Sequence, residues 1–254
     1  MPLSSLQKSY KNRVLASLPD AAIKQLSPHL IPVGLPMNLT LLAPGHAAEY
    51  AYFLEDGVCS IVATMESGMS VEVGMIGHDG FVGVPAVLGA SHSPNRSFMQ
   101  IAGHGFRVKA QTLTELSDAS APLRLCLLRS VYGLLLQTAQ TAACNRVHEL
   151  PERLARWLLM CRDRVQADRL SITQELLAII LGTRRSSVTV AVGALEKAGL
   201  IAGTRGQIVI CNHAGLEDAA CECYKAVHDE FVRLGLLELL SSKLDSPQVP
   251  GAID

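Results

Sequence analysis

Residues 171–210 read SITQELLAIILGTRRSSVTVAVGALEKAGLIAGTRGQIVI, a pattern that predicts a helix, a tight turn, a second helix and a two-stranded wing. Thr173 is placed to cap the first helix, about 173–181. Gln174 and Glu175 follow in its first turn, where a carboxylate meets the positive end of the backbone dipole. Leu176, Leu177, Ile180 and Leu181 give that helix an apolar stripe, and Gly182 supplies the left-handed residue that stops it. In the second helix Val188, Val192, Leu195 and, one turn on, Gly199 repeat at steps of three and four and are expected to face a core. Arg185, Ser186, Thr189 and Val190 then lie on the other face. Leu200 and Ile201 begin the wing, Thr204, Arg205 and Gly206 turn it, and residues 207–210 return.

A second helix that opens on Arg184, Arg185, Ser186 and Ser187 is suited to enter a DNA major groove. An ordinary helical hairpin with solvated arginines is the alternative, and the wing together with the arginine pair favours DNA. The candidate DNA contacts are Thr173, Arg184, Arg185, Ser186, Ser187, Thr189, Val190 and Arg205.

Charge along the chain agrees in direction. Net charge is −1, but residues 145–210 hold ten basic and six acidic side chains, against nine of each in 1–144 and three against eight in 211–254. A local positive excess is what phosphate neutralisation requires. With 254 residues, 49% hydrophobic and 18% charged, the chain has material for two packed domains.

Upstream, from Leu39 to about Arg107, short apolar runs broken by Gly, Pro, Asn and Asp imply many short strands, hence a small β-sandwich or barrel. Turns at Glu55-Asp56-Gly57 and Glu66-Ser67-Gly68 are expected to close two hairpins. Residues 4–30 read as one or two short helices ending near Pro28. The organisation is thus α+β: an N-terminal β-roll sensor domain over 1–120, a long helix over 121–148, and a winged helix-turn-helix domain with a C-terminal helix over 149–254.

The long helix, about Pro122 to Val147, carries no charge from Ser130 to Asn145. Leu128, Val131, Leu135, Thr138 and Ala142 alternate steps of three and four, as a two-stranded coiled-coil seam does. A helix buried inside its own domain has the same signature. The neighbouring helix-turn-helix favours dimerisation, since such modules read DNA as two-fold pairs. A further helix over 149–166 turns Leu150, Leu154, Trp157, Leu158 and Cys161 inward. Its Arg153, Arg156, Arg162 and Arg164 are expected either on phosphates or as solvated decoration.

Seven cysteines, at 59, 126, 144, 161, 211, 221 and 223, fit reduced thiols rather than a disulfide framework. Cys221 and Cys223, one residue apart on an expected helix, would face different directions, so no metal site is expected from that pair without other ligands. No run of roughly 20 apolar residues suggests a membrane span, and MPLSSLQKSYKNRV lacks the apolar core of a signal peptide. A cytoplasmic protein is expected. Catalytic signatures are missing: there is no GxSxG, P-loop, HExxH or GxGxxG. A ligand-binding scaffold that had lost DNA affinity would have a degraded recognition helix, which Arg184 and Arg185 argue against.

The order of parts, with GHDGFVGVPAVLG at 77–89, NRSF at 95–98, ERLARWLLMCRDRV at 152–165, LGTRRSSVTVAVGALEKAGLI at 181–201 and LEDAACECY at 216–224, resembles the Crp/Fnr family of bacterial transcription regulators over nearly the whole chain. The resemblance implies a homodimer whose β-roll senses a signal and whose recognition helices bind double-stranded DNA at a palindromic promoter site. RNA polymerase is a further partner if the regulator activates.

Two departures from the family pattern matter. Cyclic-nucleotide-binding members hold the ribose with a Gly-Glu pair and the cyclic phosphate with a later Arg-Ser or Arg-Thr. Here Gly83 is followed by Val84, while Arg96 and Ser97 match. Valine accepts no hydrogen bond from a ribose hydroxyl, and losing such a buried partner costs about 1–3 kcal/mol. An effector other than cAMP, or none, is therefore expected at Gly83, Val84, Arg96 and Ser97, with Arg96 either on an anion or tying the roll together.

The second departure lies in the recognition helix. Where members present Arg, Glu and Arg to base edges, alignment on the LG at 181–182 places Arg185, Ser186 and Val190. Arg185 can still make the bidentate guanine contact, and the half-site is expected to differ at the other two. The alternative of a redox or gas sensor using cysteine or a bound cofactor stays open, although no cysteine precedes Cys59 to form the iron–sulfur type's N-terminal cluster. Nothing in the spacing of His46, His78, His92 and His104 selects a haem ligand pair. No cofactor is identified.

Overall fold

The computed structural model describes residues 10–204 and 206–238. Two short helices open it, α1 (Arg13–Ala16) and α2 (Asp20–Leu26), followed by a 3-10 turn at Ser27–His29. Asn12 anchors this start: its side-chain oxygen accepts from the Val14 and Leu15 amides, and its Nδ2 donates to the carbonyls of Leu54 and Gly80.

The roll is two antiparallel sheets. One holds β1 (Ile31–Leu35), β7 (Gly103–Lys109) and β3 (Tyr50–Leu54) in that order. The other holds β2 (Thr40–Leu42), β6 (Arg96–Ile101), β4 (Val58–Thr64) and β5 (Ser70–Ile76). The turn at 66–68 closes the β4–β5 hairpin as expected, with Thr64 opposite Ser70. The turn at 55–57 closes no hairpin: β3 pairs with β7 and β4 with β5 and β6, so Gly57, at φ +85°, carries the chain from one sheet to the other. Alternating strands show which side chains can face inward but not which strand lies beside them. Two helices within the first 120 residues were not expected, α3 (Val84–Val87) and α4 (Ala110–Ala119), nor was strand β1.

Helix α5 (Ala121–Val147) starts at Ser120, with Pro122 in its first turn, and crosses beneath the roll. Helix α6 (Leu150–Val165) opens with a capping box in which the Glu149 amide donates to Glu152 and the Glu149 side chain caps the first turn. Next come β8 (Arg169–Ser171), α7 (Gln174–Ile180), α8 (Arg185–Lys197), β9 (Ile201–Thr204), β10 (Gln207–Ile210), α9 (His213–Ala219) and α10 (Cys223–Arg233). The wing sheet has three strands, β8-β10-β9, rather than two. Gly199, at φ +70°, ends α8 in an exposed left-handed cap instead of facing the core.

The largest core is continuous between roll and helix-turn-helix. Val58, Met75 and Ile101 pack with Leu154, Trp157, Leu158, Leu177, Val188 and Phe231. Polar contacts cross the same junction. Trp157 Nε1 donates to Glu72 Oε1 at 2.9 Å, Arg164 Nη2 meets Asp79 Oδ2 at 2.6 Å, and His78 Nδ1 lies 2.9 Å from the Arg164 carbonyl. The arginines of α6 are therefore neither solvated decoration nor phosphate ligands. Arg156, Arg162 and Arg164 are buried, bound to Thr141, Asp168 and Asp79, and half-buried Arg153 donates to the Leu181 carbonyl. Helical spacing placed them off the apolar stripe, but other elements meet that side as well: α5 at Arg156, the roll at Arg164, Asp168 at Arg162 and the end of α7 at Arg153.

Candidate nucleic-acid interface

Thr173 Oγ1 accepts from the Leu176 amide at 3.2 Å, so its hydroxyl is engaged as the α7 cap. Gly182, at φ +59°, makes the turn, and Arg184 is the N-cap residue of α8 without a side-chain cap bond. Val188, Ala191, Val192 and Leu195 are buried and fix the rotation of α8. Arg185, Ser186, Thr189 and Val190 are exposed on its outer face, with Ser187 half-buried beside them, and Arg184 is exposed where the helix begins.

That face is set by local bonds. Arg185, two-thirds exposed, holds Glu175 of α7 at 2.9 Å. Thr189 Oγ1 reaches Gln174 Oε1 at 2.9 Å and the Arg185 carbonyl at 3.1 Å. Val190 is 74% exposed, an apolar side chain in the middle of an otherwise polar surface and a fit for a thymine methyl group. Arg205 lies outside the described residues. Sequence reasoning missed Gln174 as a partner of Thr189 and Glu175 as the partner of Arg185. Their signal is the N-terminal turn of α7 lying against the first turns of α8, which only the packing of the two helices sets.

The expected effector residues separate. A cavity of about 190 Å³ is lined by Gly83, Val84 and Ser97 together with Leu42, Ile61 and, from α5, Leu134 and Thr138. Arg96 is elsewhere: it lies over the Phe98 ring, 4.6 Å from its centroid, and donates to Thr40 Oγ1 from Nε and Nη2. Gly83 is at φ +114°, and a Cβ there would sit 3.0 Å from Ala51, so the cavity's rim admits no side chain at that position.

On α5, Leu128 is 40% and Leu135 63% exposed, and Ala142 is exposed. Val131 and Thr138 turn partly inward, Val131 against the helices below the roll and Thr138 against the cavity. Leu125 and Tyr132 are exposed in their stead, so the open apolar stripe runs Leu125, Leu128, Tyr132, Leu135, Ala142.

Residues 152–219 match the family model of the Crp-like helix-turn-helix domain. This segment is thus a Crp-like helix-turn-helix domain. Among curated relatives, the global nitrogen regulator of Synechocystis sp. is 24% identical over 188 residues, 70% of this chain and 83% of that protein. Its counterpart from Nostoc sp. is 23% identical over 184 residues, 68% of this chain and 82% of that protein. Solved structures share the fold. FixK2 of Bradyrhizobium japonicum superposes with a TM-score of 0.65 at 18% identity, covering 76% of this chain and 98% of that one. The c-di-GMP-responsive global regulator CLP of Xanthomonas campestris gives 0.62 at 19% identity, covering 76% and 99%. The chain is thus a transcription regulator with a DNA-binding helix-turn-helix. Among its described residues no single helix is long and apolar enough to cross a membrane.

Proposed function

We propose that the protein acts as a homodimer that binds a palindromic promoter site through α8, with Arg185 as its principal base reader and a half-site set apart by Ser186 and Val190. The observation that carries this reading is the outer face of α8, where Arg185, Ser186, Thr189 and Val190 stand exposed while the opposite face is locked into the core. The exposed stripe of α5 supports two-fold pairing. Thr173, Arg184 and Ser187 flank the groove-facing residues, Arg205 of the wing is assigned as a further DNA contact from the sequence, and RNA polymerase is a further partner if the bound dimer activates.

The roll senses a molecule other than cAMP, or the regulator is effector-independent. Val84 stands where a ribose acceptor would be needed, Arg96 is bonded to Thr40 outside the cavity, and about 190 Å³ is below the roughly 300–1,000 Å³ typical of sites for drug-sized ligands. The test is selection from a pool of random duplexes by the full chain. An enriched palindrome is expected, and a pool without one overturns the reading. Calorimetry with cAMP is expected to show no micromolar site.

A further inference from the structure

Where α5 ends and α10 begins, four soft donors converge. Cys144 and His148 are one helical turn apart at the end of α5, on one face. Cys221 lies in the break between α9 and α10, and Cys223 is the first residue of α10. That break answers the expectation that Cys221 and Cys223 would diverge on a single helix: the chain bends between them and both are buried. One donor atom from each of the four residues lies within 4.8 Å of every other.

We propose that Cys144 Sγ, His148 Nδ1, Cys221 Sγ and Cys223 Sγ form a tetrahedral Cys3His zinc site that fastens the end of the long helix to the C-terminal helices. Zinc held by thiolates at about 2.3 Å and imidazole at about 2.0–2.1 Å sets its ligand atoms roughly 3.6–3.8 Å apart. Cys144 and Cys221 are 3.5 Å apart, and Cys223 and His148 Nδ1 3.6 Å. Each thiol passes its proton to solvent as its sulfur takes the metal, and no redox step is involved.

The surroundings are those a metal-bound set of this kind uses. Glu222 Oε2 lies 3.0 Å from His148 Nε2, the carboxylate–histidine arrangement that points the other ring nitrogen at a metal. Gln140 Nε2 donates to Cys223 Sγ at 3.1 Å. Three thiolates and one Zn2+ leave a negative charge, and the cations of Arg153 and Arg156 both act on the cysteine sulfurs. Nε and Nη1 of buried Arg156 have no hydrogen-bond partner among the described residues, an arrangement costly beside neutral thiols and favourable beside a thiolate cluster.

The experiment is Co2+ titration of the full chain, with metal analysis of the chain as purified under reducing conditions. Expected are about one zinc per chain and, with cobalt, thiolate charge-transfer and tetrahedral visible bands that saturate at one equivalent and are displaced by Zn2+. Cys223→Ser is expected to abolish the bands. Glu222→Gln, at an exposed position that leaves the fold alone, is expected to weaken metal affinity at least tenfold. A chain folded by circular dichroism that gives no thiolate–cobalt band overturns the proposal. So does iron in place of zinc, or recovery of Cys144 and Cys221 as a disulfide.

Discussion

Arg185 combines a free guanidinium edge with a local carboxylate that aims it. Its pairing with Glu175 at 2.9 Å is between exposed groups and adds little stability, so its consequence is orientation. Arg185→Ala is expected to cost about 1–3 kcal/mol of binding, concentrated at one base pair, as measured by competition among duplexes permuted at each position. An equal loss at every position would show a phosphate contact instead.

Glu72 is the other residue whose chemistry is set by its place. Buried beneath Trp157, it accepts the indole N–H and bonds Ser60, whose hydroxyl also bonds Gln100. Ser60 has one proton for two acceptors, an arrangement satisfied when Glu72 carries a proton of its own. Burial, the largest cause, pushes the Glu72 carboxyl up to about 7. A raised carboxyl binds more protons folded than unfolded, so stability is expected to fall as pH rises from about 4.3 through 7. Glu72→Gln should flatten that slope in urea titrations, and the emission of Trp157, the single tryptophan, should lose its change near pH 7.

At the scale of elements, α5 carries two jobs on opposite sides. One side closes the roll through Leu123, Leu127 and Gln137, with Gln137 bridging the Met75 amide and carbonyl, and meets Arg156 of α6 through Thr141. The other presents Leu125, Leu128, Tyr132 and Leu135 to solvent. Leu135, at 63% exposure, contributes little to the monomer's core, so Leu135→Glu is expected to leave the circular dichroism spectrum unchanged and to convert a dimer to monomers in sedimentation equilibrium. A monomeric parent chain would remove the basis for a palindromic site. Cavity and stripe share this helix, since Leu134 and Thr138 line the former. In the proposed dimer, an effector favouring one placement of α5 would thereby bias the spacing of the two α8 helices.

Across the whole molecule, roll and helix-turn-helix are joined by one core and by the buried Asp79–Arg164 pair, both members almost fully inaccessible. Removing one partner of such a pair strands a charge in the interior, at a cost of about 3–5 kcal/mol. Asp79→Asn is therefore expected to lower the urea midpoint strongly, and Asp79→Asn with Arg164→Met to recover much of it. No recovery in the double variant would place the cost in packing around the 77–80 turn, where the Gly77 position lies against the Arg164 side chain.

The sequence by itself determined what is local and periodic. The α7–turn–α8 segment, its Thr173 cap and Gly182 stop, the length of α5 and the short strands of the roll all follow from spacing and from residues whose backbone preferences act over one turn. Tertiary structure alone decided what depends on neighbours distant in the chain. The strands either side of Gly57 lie in different sheets, Arg96 is turned onto Thr40, Arg156 is buried against α5, Arg164 against the roll and Arg162 beside Asp168, and Cys144 meets a cysteine 77 residues later. The physical reason is the same in each case: a side chain's periodicity fixes the direction it leaves its own element, while its partner is supplied by whichever other element packs there.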